Sequence, residues 1–155
     1  MEDIWQKPEI IKHSELILNS YQQLLGKELI ERTNNPLEDS KQLFYAPMVV
    51  LSHNTDADPC YNYGNLQALQ LWEMSWKELI ITPSKSTTES TLRSQRNQLL
   101  TEAMKKGYIT NYGGIRTSRT GKKYQINNIT LWNLIDEQNN YCGQAATFSE
   151  WQIIL

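Results

Sequence analysis

The chain has 155 residues, 39% hydrophobic and 21% charged, with a formal net charge of −2. That balance fits one domain with an ordinary buried core, and no apolar run reaches the ~20 residues of a membrane span. Two cysteines, Cys60 and Cys142, are too few for a disulfide framework or a cysteine-based zinc site. The acidic start Met1-Glu2-Asp3-Ile4 lacks the positive charge of a secretory signal, so a cytoplasmic protein without membrane attachment is expected.

Pro8 and Glu9 suit a helix start, and Ile10, Ile11, Ile17, Leu18, Tyr21, Leu24 and Leu25 follow at helical spacing. With Lys12, Gln22, Gln23 and Glu28 elsewhere, the spacing predicts an amphipathic helix over about 8–29, within a flanking segment 8–33. Asn35 caps a second, short helix over 36–44, with Glu38 and Asp39 in its first turn. Residues 48–51 then read as a buried strand, 52–59 as a loop of turn formers and 60–63 as a second strand. That strand runs into Gly64, whose backbone is free to turn, and Asn65, a good helix cap.

Ser75 with Glu78, and Ser86 with Glu89, have capping-box spacing, and the second pair predicts a long helix over 87–106 closed by Gly107. Three strands follow, over 108–117, 124–135 and 141–148, joined by hairpin turns. In the middle one Ile126 and Ile129 differ in parity, which calls for a bulge at Asn127-Asn128. The order gives an α+β domain: a five-stranded antiparallel sheet with helices on one face.

The blocks "APMVVLSHNTDADPCYNYGN", "ALQLWEMSW", "YGGIRTSRTGKKYQI", "WNLIDEQ" and "GQAATFSEW" resemble the MEKHLA family, a PAS-related group. The resemblance covers nearly the whole chain and implies a single domain over 1–155 with a PAS-like core over 43–151. It implies a sensory or small-ligand-binding module that passes its signal to a separate partner. The alternative is a protein–protein interaction or dimerisation domain with its pocket filled by its own side chains. No cofactor is specified.

Aligning the strands on the PAS pattern turns Val49, Leu51 and Asn62 inward, with Leu131, Asn133, Ala145 and Thr147 facing them. Asn62 and Asn133 are then the polar anchors of a mostly apolar pocket. Haem-binding relatives use a histidine from the helical side, and here no histidine lies between Leu66 and Gly107. Light-sensing flavin relatives use a cysteine after the short helices, where this chain has "TPSKSTT".

Nine of the fifteen basic side chains fall within 85–123, beside only Glu89 and Glu102. A solvated face is the plainer reading of such a patch. Within it, Arg93 and Arg96 can hold an anion such as a phosphate. Nucleic-acid binding is not expected, because the basic stretch has only Tyr108 and Tyr112 to stack on bases. Trp72 and Trp76 are expected in the core. His53, Asp56 and Asp58 lack regular metal-ligand spacing, and no arrangement of residues marks an enzyme. A homodimer is expected through Ile17, Leu18, Tyr21 and Leu24 of the first helix, or through an exposed sheet face.

Overall fold

A computed structural model describes Asp3 to Leu155. Helix α1 (Pro8–Leu25) ends at Gly26, several residues before the apolar pattern does, and α2 (Pro36–Phe44) starts where Asn35 accepts hydrogen bonds from the Leu37 and Glu38 amides. Strands β1 (Val49–His53) and β2 (Tyr61–Gly64) lead to the short helices α3 (Leu66–Trp72) and α4 (Trp76–Leu79). After them come α5 (Arg93–Lys106), then β3 (Tyr108–Thr117), β4 (Lys123–Ile135) and β5 (Tyr141–Phe148). A further strand, β6 (Glu150–Ile154), was not anticipated.

The strands form one antiparallel sheet in the order β2-β1-β5-β4-β3. The last strand, β6, continues the line of β5 past Ser149 and pairs with Lys123 to Asn127 of β4. The bulge at Asn127-Asn128 is present: the register slips between the Ile129 and Ile126 pairs, and Asn128 takes φ 54°. It lets Ile126 and Ile129 face the same side despite their parity.

Helices cover both sides of the sheet. On the outer side α1 lies against β4, where Tyr21 meets Trp132 edge to face at 4.9 Å and the Trp132 indole donates to the Ile17 carbonyl at 3.3 Å. Ser20 Oγ accepts from the Ile135 amide at 2.9 Å. On the inner side α3 and α4 close over Val49, Leu51, Ile126 and Ile129.

The junction from β2 to α3 rests on two residues. Asn65 is fully buried and satisfied: its Oδ1 accepts from Val50 and Ala68 amides, and its Nδ2 donates to the Leu43 and Met48 carbonyls. It caps the helix and ties it to β1 and α2 at once. Gly64 is needed for space rather than for turning, since a Cβ there would sit 2.6 Å from Leu79 Cδ2.

The helix expected from residue 87 begins later. Two 3₁₀ turns, Ser84–Thr87 and Ser90–Leu92, precede α5, with Thr88 extended between them. Tertiary hydrogen bonds overrule the Ser86–Glu89 pattern here: Ser84 N donates to Pro59 O, and Thr87 Oγ1 meets Tyr61 OH at 2.6 Å. The Ser75–Glu78 capping box is formed as expected and opens α4.

Candidate functional site

Between the inner face of the sheet and the helical layer lies a cavity of about 80 Å³. Its floor is apolar, made by Leu51, Leu131, Ile126, Ile129 and Phe148, and its sides are polar. Strand periodicity explains the membership. Tyr112, Gly114 and Arg116 share one face of β3, and Gln144, Ala146 and Phe148 one face of β5. Gly114 leaves room for the Arg116 guanidinium, because a Cβ there would lie 2.7 Å from Nη1.

Arg96 reaches the cavity from α5 and is buried, donating to Ser84 Oγ at 2.5 Å and Asn97 Oδ1 at 3.0 Å. Burial lowers its pKa, and the Arg116 charge lowers it further. Burial likewise pushes Tyr61 up, and Tyr112 up to about 12, so both phenols stay protonated. His53 is lowered, first by burial, and keeps a neutral ring. Two buried polar atoms on the cavity wall, His53 Nε2 and Trp72 Nε1, make no hydrogen bond of ordinary geometry, although Gln144 interacts with His53 and the Tyr61 hydroxyl with Trp72.

The residues expected to line a pocket divide between the two faces. Leu51 and Leu131 are in the cavity wall, and Val49 faces the same way but is packed in the core. Asn133 also faces inward, yet it is consumed as a tether: Nδ2 donates to Met104 O at 3.1 Å and Oδ1 accepts from Gln144 Nε2 at 3.2 Å. Asn62 does not point inward. A register shift in the β1–β2 pair turns it to the α1 side, where it accepts from Ser52 Oγ, itself bonded to His13 Nε2.

Ala145 and Thr147 are likewise on the outer face, opposite Trp132 and Thr130. Ala145 borders the cavity only from the strand itself and belongs to the outer cluster. Ala145 is small because it sits across from Trp132 on that filled side.

Of the arginines expected to act together, only Arg96 reaches the cavity. Arg93 donates through Nε to the Lys85 and Thr88 carbonyls and clamps the preceding turns. His53 was expected in a loop beside Asp56 and Asp58, but it ends β1 and faces the cavity. No cluster of three metal-ligating side chains occurs among the described residues. Sequence periodicity carried a signal for Arg116, through its parity with Tyr112, but none for Thr87 and Ser84, which arrive through irregular backbone.

The dimer expectation for α1 also needs correction as a free seam. Ile17 and Leu18 are completely buried and Tyr21 nearly so, all within this chain, and Leu24 is half-buried against the same cluster. Trp72 is a core residue as expected, whereas Trp76 is only partly buried at the edge of the core, standing edge-on to Tyr63 at 5.8 Å. No helix among the described residues is long and apolar enough to cross a membrane.

The architecture has solved counterparts. A PAS domain from a Colwellia psychrerythraea protein superposes with a TM-score of 0.63 at 13% identity, covering 76% of this chain and 94% of that one. The light-state dimer of the fungal blue-light photoreceptor Vivid gives 0.61 at 12% identity, covering 97% and 95%. A light-oxygen-voltage domain studied with a flavin analogue gives 0.58 at 12% identity, covering 75% and 84%. At such identities the likeness shows the fold alone.

About 80 Å³ of free space is well below the roughly 300–1,000 Å³ of pockets that enclose drug-sized ligands, and no cysteine is in the wall.

The homeobox-leucine zipper protein HOX9 of Oryza sativa subsp. indica is 25% identical over 149 residues, 95% of this chain. The same protein from subsp. japonica matches equally. The chain spans 18% of the length of these curated relatives. The MEKHLA domain profile matches residues 11–153, and with that nearly full-length match the chain belongs to the MEKHLA family, PAS-related in its fold.

Proposed function

We propose that this chain is a sensory module that holds a small ligand between its sheet and its helical layer and passes the resulting change to a separate protein partner. The observation that carries this reading is the pair of poorly satisfied buried polar atoms, His53 Nε2 and Trp72 Nε1, at a cavity with an apolar floor. Buried polar groups are normally satisfied, and a wall that leaves two of them open suits an occupant that supplies their partners. Native mass spectrometry of the protein as isolated from cells tests it, beside Ala146→Leu, which fills the free space. A small molecule on the wild type and none on the variant is the expected outcome. A bare wild-type mass, with no thermal shift across a metabolite panel, would remove the ligand reading.

A protein-interaction or dimerisation domain is the second reading. It is favoured by an open groove of about 600 Å³ lined by Ile4, Phe44, Leu66, Leu69, Met74 and Trp76.

A further inference from the structure

We infer that the ligand of the inner cavity is a small carboxylate with a short apolar tail, bound by Arg96 and Arg116. This rests on the ligand reading above and names its chemical class.

The charges of the wall are one-sided. Arg96 and Arg116 are both at the cavity, and no aspartate or glutamate is among its lining residues. The hydrogen bonds of Arg96 go to two neutral acceptors, Ser84 Oγ and Asn97 Oδ1, while Arg116 Nη1 donates to the Ile115 carbonyl. Among the described residues neither arginine forms an ion pair, although the surface cations Lys85, Lys122 and Lys123 each have a carboxylate partner. Asp58, an acid that feels Arg96 electrostatically, is paired with Lys85 at 3.2 Å.

Arg96 is a buried cation without a counter-ion, which is unfavourable, and the charge of the half-buried Arg116 nearby makes it more so. Proteins keep such charges where a ligand neutralises them. A guanidinium has five N–H donors in a fixed plane, so Arg96 has donors to spare after Ser84 and Asn97. One of the two open atoms of the wall extends the pattern. Trp72 Nε1–H can only donate, whereas the neutral His53 ring presents Nε2 as an acceptor, a place for a ligand hydroxyl rather than a carboxylate oxygen. His53 Nδ1 lies 3.0 Å from Asn54 O, which only accepts, so Nδ1 carries the proton and donates to it.

Size and floor decide between anions. The space suits only a few heavy atoms beyond the charged head. A planar carboxylate matches the guanidinium fork in two parallel hydrogen bonds. Leu51, Leu131 and Phe148 would face a hydrocarbon tail, which inorganic phosphate does not have.

The test is titration of the full chain, followed by calorimetry and amide NMR shifts, with acetate, propionate, butyrate and lactate, with inorganic phosphate, and with propionamide as a neutral isostere of propionate. Saturable binding of at least one carboxylate is expected, with shifts at His53, Trp72 and Gln144 and none with propionamide. Arg96→Lys should weaken it by at least about tenfold, because a point charge cannot reproduce the fork. Arg116→Gln provides a second variant should Arg96→Lys fold poorly, and Lys105→Gln, an exposed change on the same helix, should leave affinity unchanged. Propionamide binding as tightly as propionate would overturn the carboxylate assignment and leave the ligand reading standing. Phosphate binding more tightly than every carboxylate would do the same. Binding by no member of the set would overturn the carboxylate assignment, and the native mass then decides the ligand reading by itself.

Discussion

On the outer face of the sheet Trp132, Ala145, Val50 and Tyr63 are locked under α1, with an indole donating to a helix carbonyl and a phenol ring set edge-on to it. One residue along the same strands, Leu131, Ala146 and Leu51 face a cavity with two arginines in its wall. Two adjacent residues of β5 therefore have opposite duties. A face that only stabilises is filled to the density of a crystal, whereas free space and unpaired charge mark a face held for something else.

The largest effect should come from breaking the closed face. Ile17 has no exposed surface, so Ile17→Ala should cost about 2–5 kcal/mol in denaturant unfolding. Ile17→Glu should leave no stable fold, since burying an unpaired carboxylate adds to that loss in a domain worth roughly 5–15 kcal/mol. A folded monomeric Ile17→Glu protein would return α1 to the role of a dimer seam.

A sharper comparison uses the neighbours on β5. Ala145→Val should destabilise by about 1–3 kcal/mol through overpacking against Trp132. Ala146→Val extends into free space and should stay within about 0.5 kcal/mol of the wild type. Equal losses at the two positions would mean that the inner face is as tightly filled as the outer.

The next effect is one of pH. Burial lowers the His13 imidazole from 6.5 to about 4, so the folded chain holds the ring neutral. Between these values the unfolded chain binds the extra proton. Stability present above pH 6.5 is therefore lost progressively towards pH 4 and levels off below it. His13→Gln should flatten the fall of Tm across that window. Some slope should remain, because burial lowers His53 on the other face as well.

The smallest effect belongs to the exposed clamp of the β3–β4 turn. Thr120, Ser118 and Lys122 hold the Glu73 carboxylate down to about 2. The clamp should persist at pH 4 and release only as pH falls towards 2. Glu73→Gln should speed hydrogen exchange of amides 118–122 and leave global unfolding nearly unchanged.

Much of the fold was legible because it is written in local chemistry. Asn35 before Pro36, the Ser75–Glu78 box, Gly107 after α5 and the parity break at Asn127-Asn128 each act within a few residues, where backbone hydrogen bonding is decided. The site was legible only in part. Leu51 and Leu131 follow from the strand period, but the register shift near Ser52 sent Asn62 to the outer face, and one residue of offset on β5 exchanged Ala145 and Thr147 for Ala146 and Gln144. In a sheet, a slip of one residue reverses every side chain beyond it.

The amino-acid sequence by itself determined the order of the main elements as far as β5, the antiparallel hairpins and the family, because caps, turns and alternation are short-range properties. Only the tertiary structure decided which face of each strand meets the helices. It alone showed that α1 is spent on its own sheet, and that Arg96, Arg116, His53 and Trp72 converge on one cavity. Those outcomes depend on how Trp132 and α1 share the volume above the sheet and on where two irregular turns deliver α5. Packing of residues distant in the chain sets both.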